Sequence, residues 1–247
     1  MRYFVSFSYD GSSFSGFQRQ KNLKTVQGTF ENYLSLLEGK QVDLVASGRT
    51  DKGVHAKGQC AHFDLDKKVT LYGLKKYLNR SFKGEIYVSN IDVVDNSFHA
   101  RYDVKNKVYS YYINMGDFNP IMRNYVYQYG KKLNVDLMKK ASLYLIGEHD
   151  FRSFCTDSKD KESCVRSIYS ISFEEKDDIL KITFKGNGFL RKMIRNIMAI
   201  LIEIGSQKKD VIYMEKVLCE RNRNGNLKCI PGCGLYLEEV NYEWYKS

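Results

Sequence analysis

Hydrophobic positions along the chain follow two periods. Strand-like runs rich in Tyr, Phe, Val and Ile cover Tyr3 to Tyr9, Gln59 to Leu65, Ile86 to Val93, Val108 to Asn114, Ile168 to Phe173 and Leu180 to Phe184. Between them the period lengthens. Val26, Phe30, Tyr33, Leu34 and Leu37 share one face of a helix, and Val135 to Ile146 and Phe189 to Ile204 read the same way. Asp210 supplies an N-cap carboxylate for a further helix over Val211 to Cys219. Strands and helices do not alternate regularly, which predicts an α+β fold with a mixed, largely antiparallel sheet and helices packed on it. The longest apolar run, Ile197 to Ile202, falls far short of the roughly 20 residues of a membrane span, so a soluble chain is expected.

Composition adds a core and a partner class. The 247 residues are 43% hydrophobic and 14% aromatic, enough to build a packed interior rather than a disordered chain. Lys and Arg outnumber Asp and Glu by 39 to 29, giving a net charge of +10. Such an excess attracts polyanions, although charge alone equally serves solubility. The accompanying 19 Tyr, 14 Phe and single Trp favour a nucleic acid, because unpaired bases stack on such rings.

Six cysteines, Cys60, Cys155, Cys164, Cys219, Cys229 and Cys233, give no zinc-type spacing, with Cys229 and Cys233 the only close pair. The chain opens on Met-Arg-Tyr-Phe-Val-Ser-Phe, a strand pattern rather than a secretory signal. Reduced thiols, a cytoplasmic location and no metal are expected. A polar run from Asp103 to Lys107 separates two strand–helix sets, predicting subdomains over 1–104 and 105–247. Asp157 to Glu162 and Glu220 to Lys228 read as exposed loops.

One segment stands apart: Ser47-Gly48-Arg49-Thr50-Asp51-Lys52-Gly53-Val54-His55-Ala56. Its glycines permit tight turns and close approach of a ligand to the backbone. An aspartate beside a guanidinium stays ionised and aimed, and can act at a sugar carbon as carboxylates do in glycosidic chemistry. Residue types alone favour the plainer reading, a turn- or helix-capping Asp with Arg49 in a surface ion pair.

The Gly-Arg-Thr-Asp-x-Gly-Val-His-Ala stretch resembles the signature of the tRNA pseudouridine synthase A family. Further blocks follow in the family's order. They are Tyr9 to Gln18, Thr25-Val26-Gln27, Gly58 to Phe63, Phe98 to Tyr102, Lys107 to Tyr111, Gly147 to Phe151, Gly186 to Asn196 and Gly234 to Leu237. The resemblance implies the pseudouridine synthase fold, with two similar α/β-type subdomains flanking a basic active-site cleft. It also implies isomerisation of uridine to pseudouridine in the anticodon stem-loop of tRNA, at positions 38 to 40.

By the same resemblance, Asp51 detaches uracil from ribose, by attack on the anomeric carbon or by removing a proton from the neighbouring one. Tyr109 packs on the target base and helps remove the proton from its new attachment carbon. Arg195 pairs with the catalytic carboxylate, and Arg49 helps fill the gap left by the flipped nucleotide. Gln18 and Arg19 sit in a loop suited to substrate phosphates, and His55 and His62 read as structural or RNA-contacting. No cofactor is implied, and a homodimer is.

Departures from the family's pattern are modest. Phe82-Lys83 stands where Leu-Pro is usual, Phe17 where Trp is common, and Cys60 where an aliphatic residue is expected. They leave open a paralogue acting on another structured RNA such as ribosomal RNA. A non-catalytic RNA-binding module is the alternative from a different class.

Overall fold

The computed structural model describes residues 1–156, 163–221 and 229–245. Within them lie ten strands and five α-helices. They fall into two compact units, one spanning Met1–Lys105 with the chain from Tyr236 onward, the other Asn106–Leu235. The first crossing between units lies in the polar run at residues 103–107. The second, at Leu235–Tyr236, falls inside a strand and carries no shift in composition.

The first unit is built on β1 (Arg2–Tyr9), β3 (His55–Asp64), β4 (Ile86–Val94) and β10 (Leu235–Asn241), in the order β4-β1-β3-β10. The short β2 (Val45–Ala46) pairs with β3. Strand β1 runs antiparallel to both neighbours, while β10 joins β3 in parallel, Tyr236 opposite His55. Helix α1 (Val26–Glu38) forms where the i, i+4, i+7 spacing predicts it. Thr25 caps it by accepting from the Gly28 amide at 3.2 Å. The C-terminal segment belongs here for a plain reason: Phe4 meets the rings of Tyr242, Trp244 and Tyr245 at 4.7–5.7 Å, and the Tyr242 hydroxyl donates to the Ala100 carbonyl at 2.7 Å.

In the second unit β5 (Asn106–Asn114), β9 (Ile179–Gly186), β8 (Val165–Lys176) and β7 (Gly147–Asp150) form consecutive antiparallel pairs, with β6 (Tyr127–Gln128) parallel to β5. Helix α3 (Val135–Ser142), α4 (Met193–Gly205) and α5 (Ile212–Glu220) belong to this unit. Helix α4 is buried almost all round, through Ile194, Ile197, Met198, Ile200, Leu201 and Ile204 among others. Each such side chain stabilises the unit by about 1.5–3 kcal/mol.

The α+β expectation with a mixed, largely antiparallel sheet holds, and the differences lie at element ends and in elements that the pattern does not announce. Helix α4 starts at Met193 rather than Phe189, because Lys192 sits in the left-handed region at φ 62° and ends any helical run before it. Strand β3 starts at His55 rather than Gln59, lengthened by its parallel partner β10. Helix α2 (Leu71–Ser81) has no counterpart in the sequence reading. Its core contacts are only Leu74 and Leu78, too sparse a stripe to announce a helix containing Gly73. The N-cap of α5 is Val211 rather than Asp210, whose carboxylate, one residue ahead, accepts from the Tyr213 amide at 3.0 Å. Of the expected loops, 157–162 and 222–228 lie outside the described residues, and Glu220 closes α5.

His62, buried on β3, is structural: its Nδ1 accepts the Ala100 amide at 3.1 Å. Burial, then the charges of Arg2 and His99, pull its pKa from 6.5 to about 4. Between those values the unfolded chain takes up a proton that the folded ring refuses, so folding weakens as pH falls from 6.5 toward 4 and the contribution is fully present above 6.5. His62→Gln, with an amide oxygen for Ala100, is expected to flatten that part of the pH dependence of the urea midpoint. Parallel wild-type and variant curves across this window would contradict the assignment.

Candidate active site

The Asp51 loop joins β2 to β3 and is held by polar side chains on both sides. Gln59, fully buried on β3, takes the near end: its amide oxygen accepts from Ser47 Oγ at 2.7 Å and its amide nitrogen donates to the Gly48 carbonyl at 3.1 Å. Ser47 N also donates to the Cys60 carbonyl at 2.8 Å. Thr50 takes the middle. Its hydroxyl lies 2.9 Å from the Tyr9 hydroxyl, and its carbonyl accepts the Phe17 amide at 3.1 Å. A register shift in β1 between Phe7 and Tyr9 sets Tyr9 opposite Ala56. Burial pushes the Tyr9 phenol up to about 12, so it remains protonated as a hydrogen-bonding group at neutral pH. Beyond Asp51 the chain turns at Gly53, φ 78°, and the Val54 amide donates back to the Asp51 carbonyl at 3.2 Å.

Two glycines let other segments approach the loop. A Cβ on Gly11 would sit 2.1 Å from the Val54 carbonyl oxygen. Gly16, at φ 104°, brings its own segment against Thr50 and Lys52. The result is a fixed loop carrying a half-buried Asp51 and an exposed Arg49. His55, the first residue of β3, is buried; its Nδ1 accepts the Gly11 amide at 3.0 Å and its ring stacks on Tyr236 at 4.6 Å. That is a structural role.

Gln18 and Arg19 lie in the same unit, on the segment that Phe17 ties to the loop. Gln18 is exposed. Arg19 is engaged: its Nη1 donates to the buried Glu31 at 2.9 Å and lies 3.5 Å from Asp43. Glu31 in turn accepts from Gln27 and from the Leu44 amide, so this ion pair fixes the segment to α1 and to the chain entering β2.

Tyr109 and Arg195 belong to the second unit. Tyr109 is a buried residue of β5, opposite Phe184 on β9 and edge-on to Phe189 at 5.3 Å. Tyr111, two residues on and on the same strand face, donates its hydroxyl to the Pro231 carbonyl at 2.8 Å. Arg195, half-buried on α4, donates Nε to the Ile230 carbonyl at 2.8 Å, which orients the guanidinium. Burial drives the Tyr111 pKa well above its ordinary value, and the positive charge of Arg195 works against that rise. Asp51, Arg49, Gln18 and Arg19 thus share the first unit, and Tyr109 and Arg195 the second.

The sequence reading missed Tyr9, Thr50 and Gln59 as supports of the loop. Gln59 carries a usable signal, since it is a polar residue leading a run of buried positions, Cys60-Ala61-His62-Phe63. All six cysteines are free thiols. Among the described residues no cluster of three His, Cys, Asp or Glu side chains suits a metal ion, and no helix is long and apolar enough to cross a membrane.

A family model described as tRNA pseudouridine synthase matches residues 5–103 and 141–243 of this chain. Asp51 and Arg195 fall inside the matched residues and Tyr109 outside them. The chain is similar to tRNA pseudouridine synthase A 2 of Bacillus cereus, at 40% identity over 243 residues, covering 97% of this chain and 99% of that protein. It is 40% identical to the protein of the same name from Bacillus anthracis over the same span. It is 42% identical over 237 residues to tRNA pseudouridine synthase A 1 of Bacillus cereus, covering 95% and 96% of the two chains.

Truncating the Gln59 side chain removes its hydrogen bonds to the Ser47 hydroxyl and the Gly48 carbonyl. Gln59→Ala is expected to lower unfolding stability by about 2–4 kcal/mol, the range for losing more than one buried hydrogen bond. Urea denaturation measures it. A loss within about 0.5 kcal/mol, typical of an ordinary surface substitution, would show that the clamp does not hold the loop.

Proposed function

We propose that this chain, which belongs to the tRNA pseudouridine synthase family, isomerises uridine to pseudouridine in the anticodon stem-loop of tRNA, at positions 38 to 40. The observation that carries the reading is the Gly48-Arg49-Thr50-Asp51 loop: an aspartate, half-buried, on backbone fixed from two sides by Thr50 and Gln59. Carboxylate chemistry at a sugar carbon rewards such prior positioning, because little freedom is left to lose on reaching the transition state.

The reaction is redox-neutral and conserves atoms. The bond from uracil N1 to ribose C1′ breaks, the base turns, a bond from C5 to C1′ forms, and the proton displaced from C5 leaves while N1 gains one. Asp51 initiates the cleavage, either by attack at C1′, forming an ester that is displaced as C5 bonds to C1′, or by taking a proton from C2′ that it returns as the C5–C1′ bond forms. Tyr109 packs on the base and its hydroxyl serves the departing C5 proton. Arg195 acts as the guanidinium of the catalytic set, with its Nε already spent on a backbone carbonyl so that the group is aimed. Arg49, exposed at the loop's tip, fills the space of the flipped nucleotide, and Gln18 and Arg19 contact the flanking strand. The reading extends to a cytoplasmic homodimer; gel filtration running at the 28.8 kDa of one chain would contradict the dimer.

Asp51→Ala is expected to abolish pseudouridine formation in a transcribed tRNA while tRNA binding persists. Turnover retained by that variant would overturn the assignment. Tyr109→Phe keeps the ring and removes the hydroxyl, so kcat should fall by roughly 100-fold or more, the scale of a lost general base, with KM little changed. A variant with wild-type kcat would confine Tyr109 to packing.

A further inference from the structure

In the first unit a cavity of about 550 Å³ opens between the Arg19–Thr25 segment, the start of α1 and the turn that follows α2. Its floor includes Tyr33 and the buried Phe82, whose rings meet edge-on at 5.7 Å, and Leu23 is exposed beside it. Arg19, Lys24 and Lys83 line it, with Glu85 the one acidic residue among the lining side chains. Glu85 is already neutralised by an ion pair with Lys24, and Arg19 by Glu31. Lys83 is exposed and has no ion-pair partner among the described residues.

The turn carrying Lys83 is one of the places where the chain departs from the pattern it resembles, with Lys in place of Pro. The backbone supplies the reason. Lys83 stands at φ 50° and Gly84 at φ 84°, whereas a proline ring locks φ near −65°. Adopting this turn therefore excludes proline, and it places a lysine on the cavity wall. The turn is pinned by the Glu85 amide to the Phe82 carbonyl at 3.1 Å and by the Asp10 amide to the Glu85 carbonyl at 3.2 Å.

Both walls connect to the Asp51 loop, one through Phe17 and Thr50, the other through Asp10, whose neighbour Gly11 packs on Val54. The first amides of α1 are spent, on the Gly16 and Phe17 carbonyls and on Thr25 Oγ1, so an anion here is gripped by side chains alone. Outward from the turn, α2 presents Tyr72, 76% exposed, with Lys76 over its ring at 6.0 Å and Arg80 one turn further along the same stripe. No acidic residue occurs in α2.

We propose that this cavity is a subsite for the RNA strand flanking the reacting uridine, with a backbone phosphate on Lys83 and the α2 stripe continuing the track. Cations over an aromatic floor are the chemistry that holds single strands without reading sequence. The proposal rests on the tRNA-modifying function proposed above. Lys83 is a binding residue in it, not a catalytic one.

The test measures tRNA binding by fluorescence anisotropy over a salt series, and kcat and KM on the same transcript, for the full chain with Lys83→Ala, Lys83→Glu and Lys83→Arg. Lys83→Ala should raise KM several-fold at unchanged kcat and make the log–log salt slope shallower by about 0.7–0.9, one phosphate contact. Lys83→Glu should do more, and Lys83→Arg should restore the wild-type values. Wild-type KM and slope in both Lys83→Ala and Lys83→Glu would overturn the subsite. A wild-type chain that forms no pseudouridine would instead overturn the function proposed above, and the binding series would still decide the subsite.

Discussion

The constraint on which the site depends is the pair of polar clamps on the Asp51 loop. A reactive carboxylate on a surface loop normally brings conformational freedom that chemistry must remove. Here Thr50 is tied to Tyr9 on a central strand and to Phe17 on the facing segment, and Ser47 and Gly48 are tied to Gln59. These groups are strand residues or held by strand residues, so the loop inherits the rigidity of β1 and β3. The register shift in β1, the glycine at position 11 and the left-handed Gly16 serve the same end, because each lets a neighbouring segment close on the loop.

Much of this was legible in the sequence, for physical reasons that differ by element. Strand β4 and helix α1 bury a regular face, and their periods report it, while β1 and β5 are buried on both faces and show as near-continuous runs of Tyr, Phe and Val or Ile. Helix α2 buries only Leu74 and Leu78 and escaped notice. Helix α4 was recognised from its apolar content, but its start was misplaced because a left-handed lysine leaves no mark on hydrophobic spacing. The short β2 and β6 and the return of β10 to the first unit are set by partners far away in the chain, which local patterns do not contain. At the site, the glycine-bracketed Arg-Thr-Asp core drew attention to Asp51, while its supports Tyr9 and Gln59 lie outside that stretch. Only the three-dimensional pairing brings them to it.

The charge surplus reads differently once side chains are placed. Arg19 serves Glu31, Lys24 serves Glu85, and Arg195 is partly committed to the Ile230 carbonyl. Such engaged cations contribute to architecture as much as to attraction, and exposed pairs among them add little stability by themselves. Lys83 has no ion-pair partner among the described residues, and it stands on a turn whose backbone proline cannot adopt.

The central proposal is that Asp51 makes this chain an RNA-modifying enzyme rather than an RNA-binding scaffold. Mapping every pseudouridine in total RNA from cells lacking the protein, and from the same cells supplied with the wild-type chain or with Asp51→Asn, tests it most directly. Sites in the anticodon stem-loop of tRNA should vanish with the protein, return with the wild-type chain and stay absent with the variant. A map unchanged by loss of the protein, or restored equally by both chains, would contradict it.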